Sequence, residues 1–301
     1  MRAKRYSFTR KILIFLTFFV GIGAIGGAIA MFVDPTGETT TMNELLPYLQ
    51  TLPFGDTLFS NLIFSGISLL IVNGISNITS AVLLLKNKKS GIILGAIFGF
   101  TLMLWITIQF VIFPLNFMST FFFCIGVIQL IVGIVCLIGY TQNNFRFDES
   151  DYPNINKNSN SLVVFFSRTG YTKKYAYSLA NQTGSDIYEI RTKEKTDGNL
   201  GFWWCGRFAM HKWGMELDNL DINLEKYEKV TICSPIWVFN VSCPIREFCK
   251  LSRGKIKNVE YVFVHFLNKN LISSQKELDS LLDIKNSSAK SVCCQFGKYK
   301  D

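Results

Sequence analysis

Three hydroxyl side chains and a glycine stand within six residues at Ser167-Arg168-Thr169-Gly170-Tyr171-Thr172. They follow the apolar run 163–166 and precede Ala176 and Leu179, which are set at helical spacing. Hydroxyl donors, a glycine that lets backbone approach a ligand, and the positive end of a helix together make a cradle for a phosphate group. The turn is not a Walker loop, which would read GxxxxGK[ST], and it has no GxGxxG. One GxGxxG does occur, at Gly21-Ile-Gly23-Ala-Ile-Gly26, but inside an apolar run with no strand before it. There the small residues are read as letting helices approach closely. Other chemistry is thin. The eight cysteines include no CxxC pair, which excludes zinc-ribbon, thioredoxin-type and cluster-binding spacings. They are expected as reduced thiols.

The elements that would position the turn are short apolar strands alternating with helices. Strands are expected over 162–166, 186–190, 229–233, 260–265 and 290–294, and helices over 172–183, 201–215, 245–252 and 274–282. Gly184 suits the stop of the first helix, and Ser274-x-x-Glu277 reads as a capping box opening the last. This alternation predicts an α/β, doubly wound domain with a five-stranded parallel sheet.

The turn resembles the N-terminal signature of the flavodoxin family: an apolar-aromatic strand end, a hydroxyl, two residues, a small residue, one residue, Thr, then Ala and an aliphatic at helical spacing. Ser167, Gly170, Thr172, Ala176 and Leu179 meet each position, and the resemblance covers 161–296. It implies FMN as cofactor, with Ser167, Arg168, Thr169, Gly170, Tyr171 and Thr172 around its phosphate; Tyr171 stands where Asn is common, and Arg168 is an added charge. A second segment, Ser234-Pro235-Ile236-Trp237-Val238-Phe239-Asn240, is similar to the Pro-x-Trp/Tyr loop of short flavodoxin-like domains. By that resemblance it lies beside the isoalloxazine ring, with Trp237 stacking and the N–H groups of 238–240 facing the ring's polar edge. A Trp that only fills the core is the alternative. The third ligand loop should follow His265, at 266–270, but lacks the family's glycines, and no residue there is assigned. A flavodoxin also adds a closing helix after its fifth strand. The sheet face beside the first helix is therefore expected to be covered by the membrane region or a partner.

The N-terminal half is of another kind. Four runs, 12–33, 58–85, 91–113 and 120–140, contain no Asp, Glu, Lys, Arg or His. A helix of about 20 residues crosses a hydrocarbon core, so four transmembrane helices are expected. The net charge of +9 divides into +5 over residues 1–11, −4 over 34–57, +3 over 86–89, −1 over 141–160 and +6 over 161–301. Basic clusters alternate with acidic or uncharged segments, which places both termini in the cytoplasm of a multi-pass cell-membrane protein. That explains the basic excess better than nucleic-acid binding does. Ala28-x-Ala30 after a basic start also resembles a signal-cleavage site, although the run is long for one. With both histidines outside the runs, a bis-histidine haem in the bilayer is excluded. Asn73 and Asn77, one turn apart, with Gln109 and Gln129, are expected to hydrogen-bond between helices, or to bind a quinone headgroup or small solute.

Residues 1–140 are thus read as a four-span domain, 141–160 as a flexible linker, and 161–301 as the flavodoxin-like domain. The aromatic, basic stretch 202–213 is expected to be a helix packing its rings on the sheet, with the lipid headgroup region as the alternative. Taken together, the chain reads as a membrane-tethered flavoprotein moving electrons to a redox partner or a quinone-like acceptor. The alternative is a non-catalytic regulatory or assembly module on a degenerate flavodoxin fold.

Overall fold

The computed structural model describes the backbone of residues 2–267 and 271–300, with all their side chains except those of 2–5, 159 and 199. It divides into two compact units, 1–144 and 145–301.

The first unit is helical. It comprises α1 (Arg2–Val33), two single turns α2 (Leu46–Leu49) and α3 (Gly55–Leu58), α4 (Ile63–Leu69), α5 (Ser76–Leu85), α6 (Lys89–Ile112) and α7 (Phe117–Asn143). A π-helical turn, Leu70–Ile75, joins α4 to α5 without interruption. Four helical stretches are long and apolar enough to cross a membrane: 6–33, 63–85, 89–112 and 117–143. With no hydrophobic contrast against lipid, such helices associate through close packing and hydrogen bonds between them. Both are present. A Cβ on Gly99 would lie 2.6 Å from the amide nitrogen of Leu130, so α6 and α7 touch backbone to backbone. Gln129 Nε2 donates to Asn77 Oδ1 and to the Gly95 carbonyl, each at 2.9 Å, and Asn77 Nδ2 donates to the Asn73 carbonyl at 2.9 Å. The buried Asn73 side-chain amide has no protein partner. Gln109 accepts from Ser119 Oγ at 3.3 Å. Arg10 caps the end of α5, its Nη2 donating to the Leu84 carbonyl at 2.7 Å. The basic residues around Arg10 and those of the 86–89 loop therefore share one end of the bundle.

The second unit is α/β. Its strands are β1 (Asn158–Phe165), β2 (Ser185–Glu189), β3 (Lys229–Trp237), β4 (Asn240–Val241), β5 (Val259–His265), β6 (Ser287–Gln295) and β7 (Lys298–Lys300). Its helices are α8 (Tyr171–Thr183), α9 (Gly198–Met210), α10 (Cys243–Leu251) and α11 (Ile272–Leu282). The sheet runs β2-β1-β3-β5-β6-β7, with β4 paired to β3. Five strands are parallel, and setting aside the two short antiparallel ones gives the 2-1-3-4-5 order of one doubly wound class. The expected five-stranded sheet is corrected to seven strands. β4 and β7 are two and three residues long, too short to show a period of two.

Alternate residues of the parallel strands feed two cores. Leu162, Val164, Ile232 and Phe263 pack with Ile245, Phe248 and Leu278 of α10 and α11. Val163, Phe165, Val262 and Val292 pack with Ala176 and Ala180 of α8. Each such side chain, fully buried, contributes about 1.5–3 kcal/mol. The second face carries one long helix where a flavodoxin carries two. Beside α8 (with its own Tyr171 and Tyr175), Ile155 and Tyr299 pack on this face, half-buried.

The stretch read as a flexible tether is packed as well. α7 continues to Asn143, and Phe147 stacks edge-on to Tyr177 of α8 at 4.8 Å. Lys173 pairs with Glu149 at 3.1 Å, and the Asn154 amide donates to Asn181 Oδ1 at 2.8 Å. Asparagines and scattered charges suggest disorder only where no aromatic anchors recur, and here Phe145, Phe147 and Tyr152 recur.

Gly184 ends α8 in the left-handed region, φ 71°, as expected. The capping box does not form. α11 starts two residues earlier than Ser274, after Leu271 and without a side-chain cap, and Ser274 is buried inside its first turn. α9 is shorter than expected, ending at Met210.

Candidate functional site

β1 delivers its carboxyl end at Phe165, and five residues later Gly170 opens α8. Gly170 has φ 90°, a region open to glycine and costly for other residues. A Cβ there would also stand 3.1 Å from the Phe145 ring. The Gly170 amide donates to Ser167 Oγ at 3.1 Å, closing the turn. Lys174 N–H bonds back to the Gly170 carbonyl at 3.0 Å, so the helix's opening amides face the turn as at any helix N-terminus. Ser167, Arg168, Thr169 and Tyr171 are half-buried and Thr172 is buried. The hydroxyls, the glycine and the helix end are brought together as the sequence suggested. This donor set, with no acidic residue in the first turn of α8, fits an anionic oxygen cluster such as a phosphate.

The second segment closes against it. β3 runs on to Trp237, four residues further than expected, and turns back at Val238 and Phe239 into β4. Both turn residues have positive φ, 45° and 63°, in a two-residue hairpin. Such turns favour Asn-Gly, and a β-branched residue there is an outlier. The turn is held from below by Ser234, whose Oγ accepts from the Ser242 amide at 3.3 Å and lies 3.1 Å from Ser242 Oγ. Pro235 and Ile236 are half-buried in the strand, and Asn240 Nδ2 donates to the Val238 carbonyl at 3.1 Å. Trp237 is half-buried with its ring edge-on to Phe166 at 5.5 Å. Phe239 is the exposed aromatic of this loop. The third loop lies partly outside the described residues, at 268–270; its Phe266 is exposed and edge-on to Phe296 at 5.4 Å.

Two neighbours of the phosphate-type turn were not foreseen. The β6–β7 hairpin brings Gly297 beside it, where a Cβ would sit 2.9 Å from Phe145, and Tyr299 donates to the Tyr171 carbonyl at 2.7 Å. The available signal was the Phe296-Gly297 turn pair before an alternating Lys298-Tyr299-Lys300. α9 also arrives here, with Phe202 holding the Arg168 guanidinium over its ring at 5.4 Å.

The cysteines around the site are inert. Burial pushes the Cys205 thiol up to about 12, against a partial lowering by Arg168, and pushes Cys243 up to about 11, against Arg246. A thiol so far from its thiolate is a poor nucleophile. All eight cysteines are unpaired. His211 is exposed and stacked on Trp213 at 4.5 Å. Among the described residues no group of three His, Cys, Asp or Glu side chains could hold a metal ion.

No family model and no curated protein matches the chain. Solved structures do resemble its second unit. A provisionally assigned flavoprotein from Bacteroides eggerthii DSM 20697 shares 23% identity at a TM-score of 0.40, over 44% of this chain and 88% of that one. A flavoprotein from Lactobacillus acidophilus NCFM, solved in complex with FMN, shares 19% identity at a TM-score of 0.35, over 44% of this chain and 91% of that one. Its apo-form, solved by NMR, gives 19% and 0.35, over 44% and 92%.

Proposed function

We propose that the chain is a membrane-anchored flavoprotein of flavodoxin type that binds FMN and passes electrons at the cytoplasmic face. One observation carries the reading: a Ser-x-x-Gly-x-Thr turn, closed by the Gly170 to Ser167 hydrogen bond, opens a helix at the carboxyl end of the first parallel strand. In open α/β sheets that edge is where ligands bind. FMN, when bound, supplies one- and two-electron chemistry that no side chain offers.

The residues have separable tasks. The Ser167, Thr169 and Thr172 hydroxyls and the opening amides of α8 hold the phosphate, with Arg168 adding charge. The 238–240 backbone presents its N–H groups to the ring's polar edge. Phe239 offers an exposed ring for stacking, while Trp237, braced on Phe166, walls the inner side. The four apolar helices anchor the domain, and the basic residues gathered at one end of the bundle set that end in the cytoplasm. Anchoring raises the concentration of the domain near a membrane redox partner or quinone-like acceptor.

The test is an FMN titration of the detergent-solubilised full chain, followed by flavin absorbance and fluorescence quenching. A chain that stays colourless after reconstitution overturns the proposal. The non-catalytic reading draws on one feature, the inward packing of Trp237, and the same colourless outcome would favour it.

A further inference from the structure

α9 is built inside out for a helix that faces water. Its small residues Gly201, Cys205 and Ala209, spaced by four, are buried; Cys205 and Ala209 pack with Met215, Cys243, Trp237 and the half-buried Phe208, and Gly201 lies against the Thr196 backbone. Its large residues Leu200, Trp203 and Met210 point away, Trp203 being 74% exposed. A helix held only by its own domain turns its large apolar side chains inward. Of the rings expected to pack on the sheet, Phe208 does pack against its own domain, while Phe202, Trp203, Trp204 and Trp213 are left exposed. Trp213 and the hairpin residues Val238 and Phe239 extend the outward patch, a Cβ on Gly206 lying 3.7 Å from the Val238 side chain. A contiguous exposed apolar patch marks a surface that something covers.

The chemistry of the patch selects what covers it. Residues 198–215 hold three of the chain's five tryptophans, with Arg207 and Lys212 and no acidic residue of their own, Lys212 also standing 3.9 Å from Glu277 Oε2. Glu194, just before the helix, accepts from Trp204 Nε1 at 2.9 Å. Arg207 lies over the Trp213 ring at 5.9 Å, so a cation sits at an indole. Indoles settle at the boundary between acyl chains and headgroups, and guanidinium and ammonium groups pair with lipid phosphates. We infer that α9 lies in the plane of an anionic phospholipid surface, with Leu200, Trp203 and Met210 in the acyl boundary and Arg207 and Lys212 at the phosphates. The inference rests on the proposed reading of the four long helices as membrane spans, and it is independent of FMN. It also deepens that proposal. Phe202 is next to Trp203 and holds Arg168, so docking brings the phosphate-type turn to the lipid surface, where a lipid-soluble acceptor resides.

The full chain in nanodiscs containing phosphatidylglycerol and a phospholipid with a photoactivatable acyl chain tests this. After photolysis and digestion, lipid adducts are expected on peptides from α9 as well as from the four spans. R207Q/K212Q should lower the α9 adducts by about 30-fold, given roughly 1 kcal/mol for each of the two basic residues near an anionic surface, and leave the span adducts unchanged. W203E should lower them too without shifting the thermal unfolding midpoint, because the ring makes little contact with its own domain. Labelled spans beside an unlabelled α9, or an α9 cross-linked to protein in place of lipid, overturn the inference. Unlabelled spans overturn the reading of the helices as spans, which keeps the two failures apart.

Discussion

In the helical unit, Phe15, Ile22, Ile71, Ile108 and Val111 turn outward along the length of the helices, while Asn73, Asn77, Ser80 and Gln129 are buried between them. In the α/β unit the arrangement is reversed. Valines, isoleucines and phenylalanines fill both faces of the sheet, and large exposed apolar side chains gather on α9, the 238–239 turn, Phe266, Leu267 and Phe296. The same side-chain types thus obey two solvents. A bundle whose outside is as apolar as its inside must be held by close backbone approach and interhelical hydrogen bonds, whereas the sheet is held by removing apolar area from water. An outward-facing phenylalanine is ordinary in the first unit. In the second it is a statement about a site.

That contrast can be broken in order of effect. Gly99→Leu should be among the most damaging changes in the bundle, because even a Cβ at that position would stand 2.6 Å from the Leu130 amide nitrogen and 3.0 Å from the Gly126 carbonyl oxygen. Overpacking of this kind costs about 1–3 kcal/mol or more, seen as loss of monodisperse protein in detergent or a large drop in unfolding midpoint. The FMN titration of S167A should show affinity lower by about 10- to 100-fold, since a hydrogen bond to a charged group contributes roughly 1.5–3 kcal/mol. The bundle should be unaffected. Tyr299→Phe removes the donor to the Tyr171 carbonyl at 2.7 Å and should lower the stability of the α/β unit by about 1 kcal/mol, with β7 amides exchanging faster. Smallest is Glu149→Gln. Hydrogen bonding by Lys173 and then Tyr177 holds the Glu149 carboxyl below its usual value. Its contribution is thus present above the unfolded value of about 4.3 and is lost as pH falls through the folded one. The pair is exposed, so the variant should cost under about 1 kcal/mol, and it should flatten the dependence of stability on pH below the unfolded value of about 4.3.

Much of this arrangement was legible beforehand. The parallel strands, the Gly184 stop and the closed turn at 167–172 follow from local rules, and each formed within a few residues of its expected place. The bundle's polar contacts were readable in kind, because an uncharged helix with Asn and Gln has few other uses for them. What escaped depends on tertiary context. Ser274 lies three residues before a Glu, yet Leu271 pins the chain earlier and buries the serine within the helix. The linker's asparagines masked three aromatic anchors, whose partners stand on α8. The orientation of α9 could not be read from its own amphipathicity, since its core-facing side is made mostly of Gly, Cys and Ala, with Phe208 the large residue packed inward. Trp237 was chosen for its type, whereas the ring left outside was Phe239.

The 238–239 bend is under tension. Two bulky side chains are held in a left-handed backbone that each enters at a cost of about 1–2 kcal/mol. V238N/F239G would relax it, and the melting temperature should rise while any ligand that leans on this loop is held less firmly. A chain that keeps Val and Phe where Asn and Gly would be more comfortable has put contact ahead of durability at this corner.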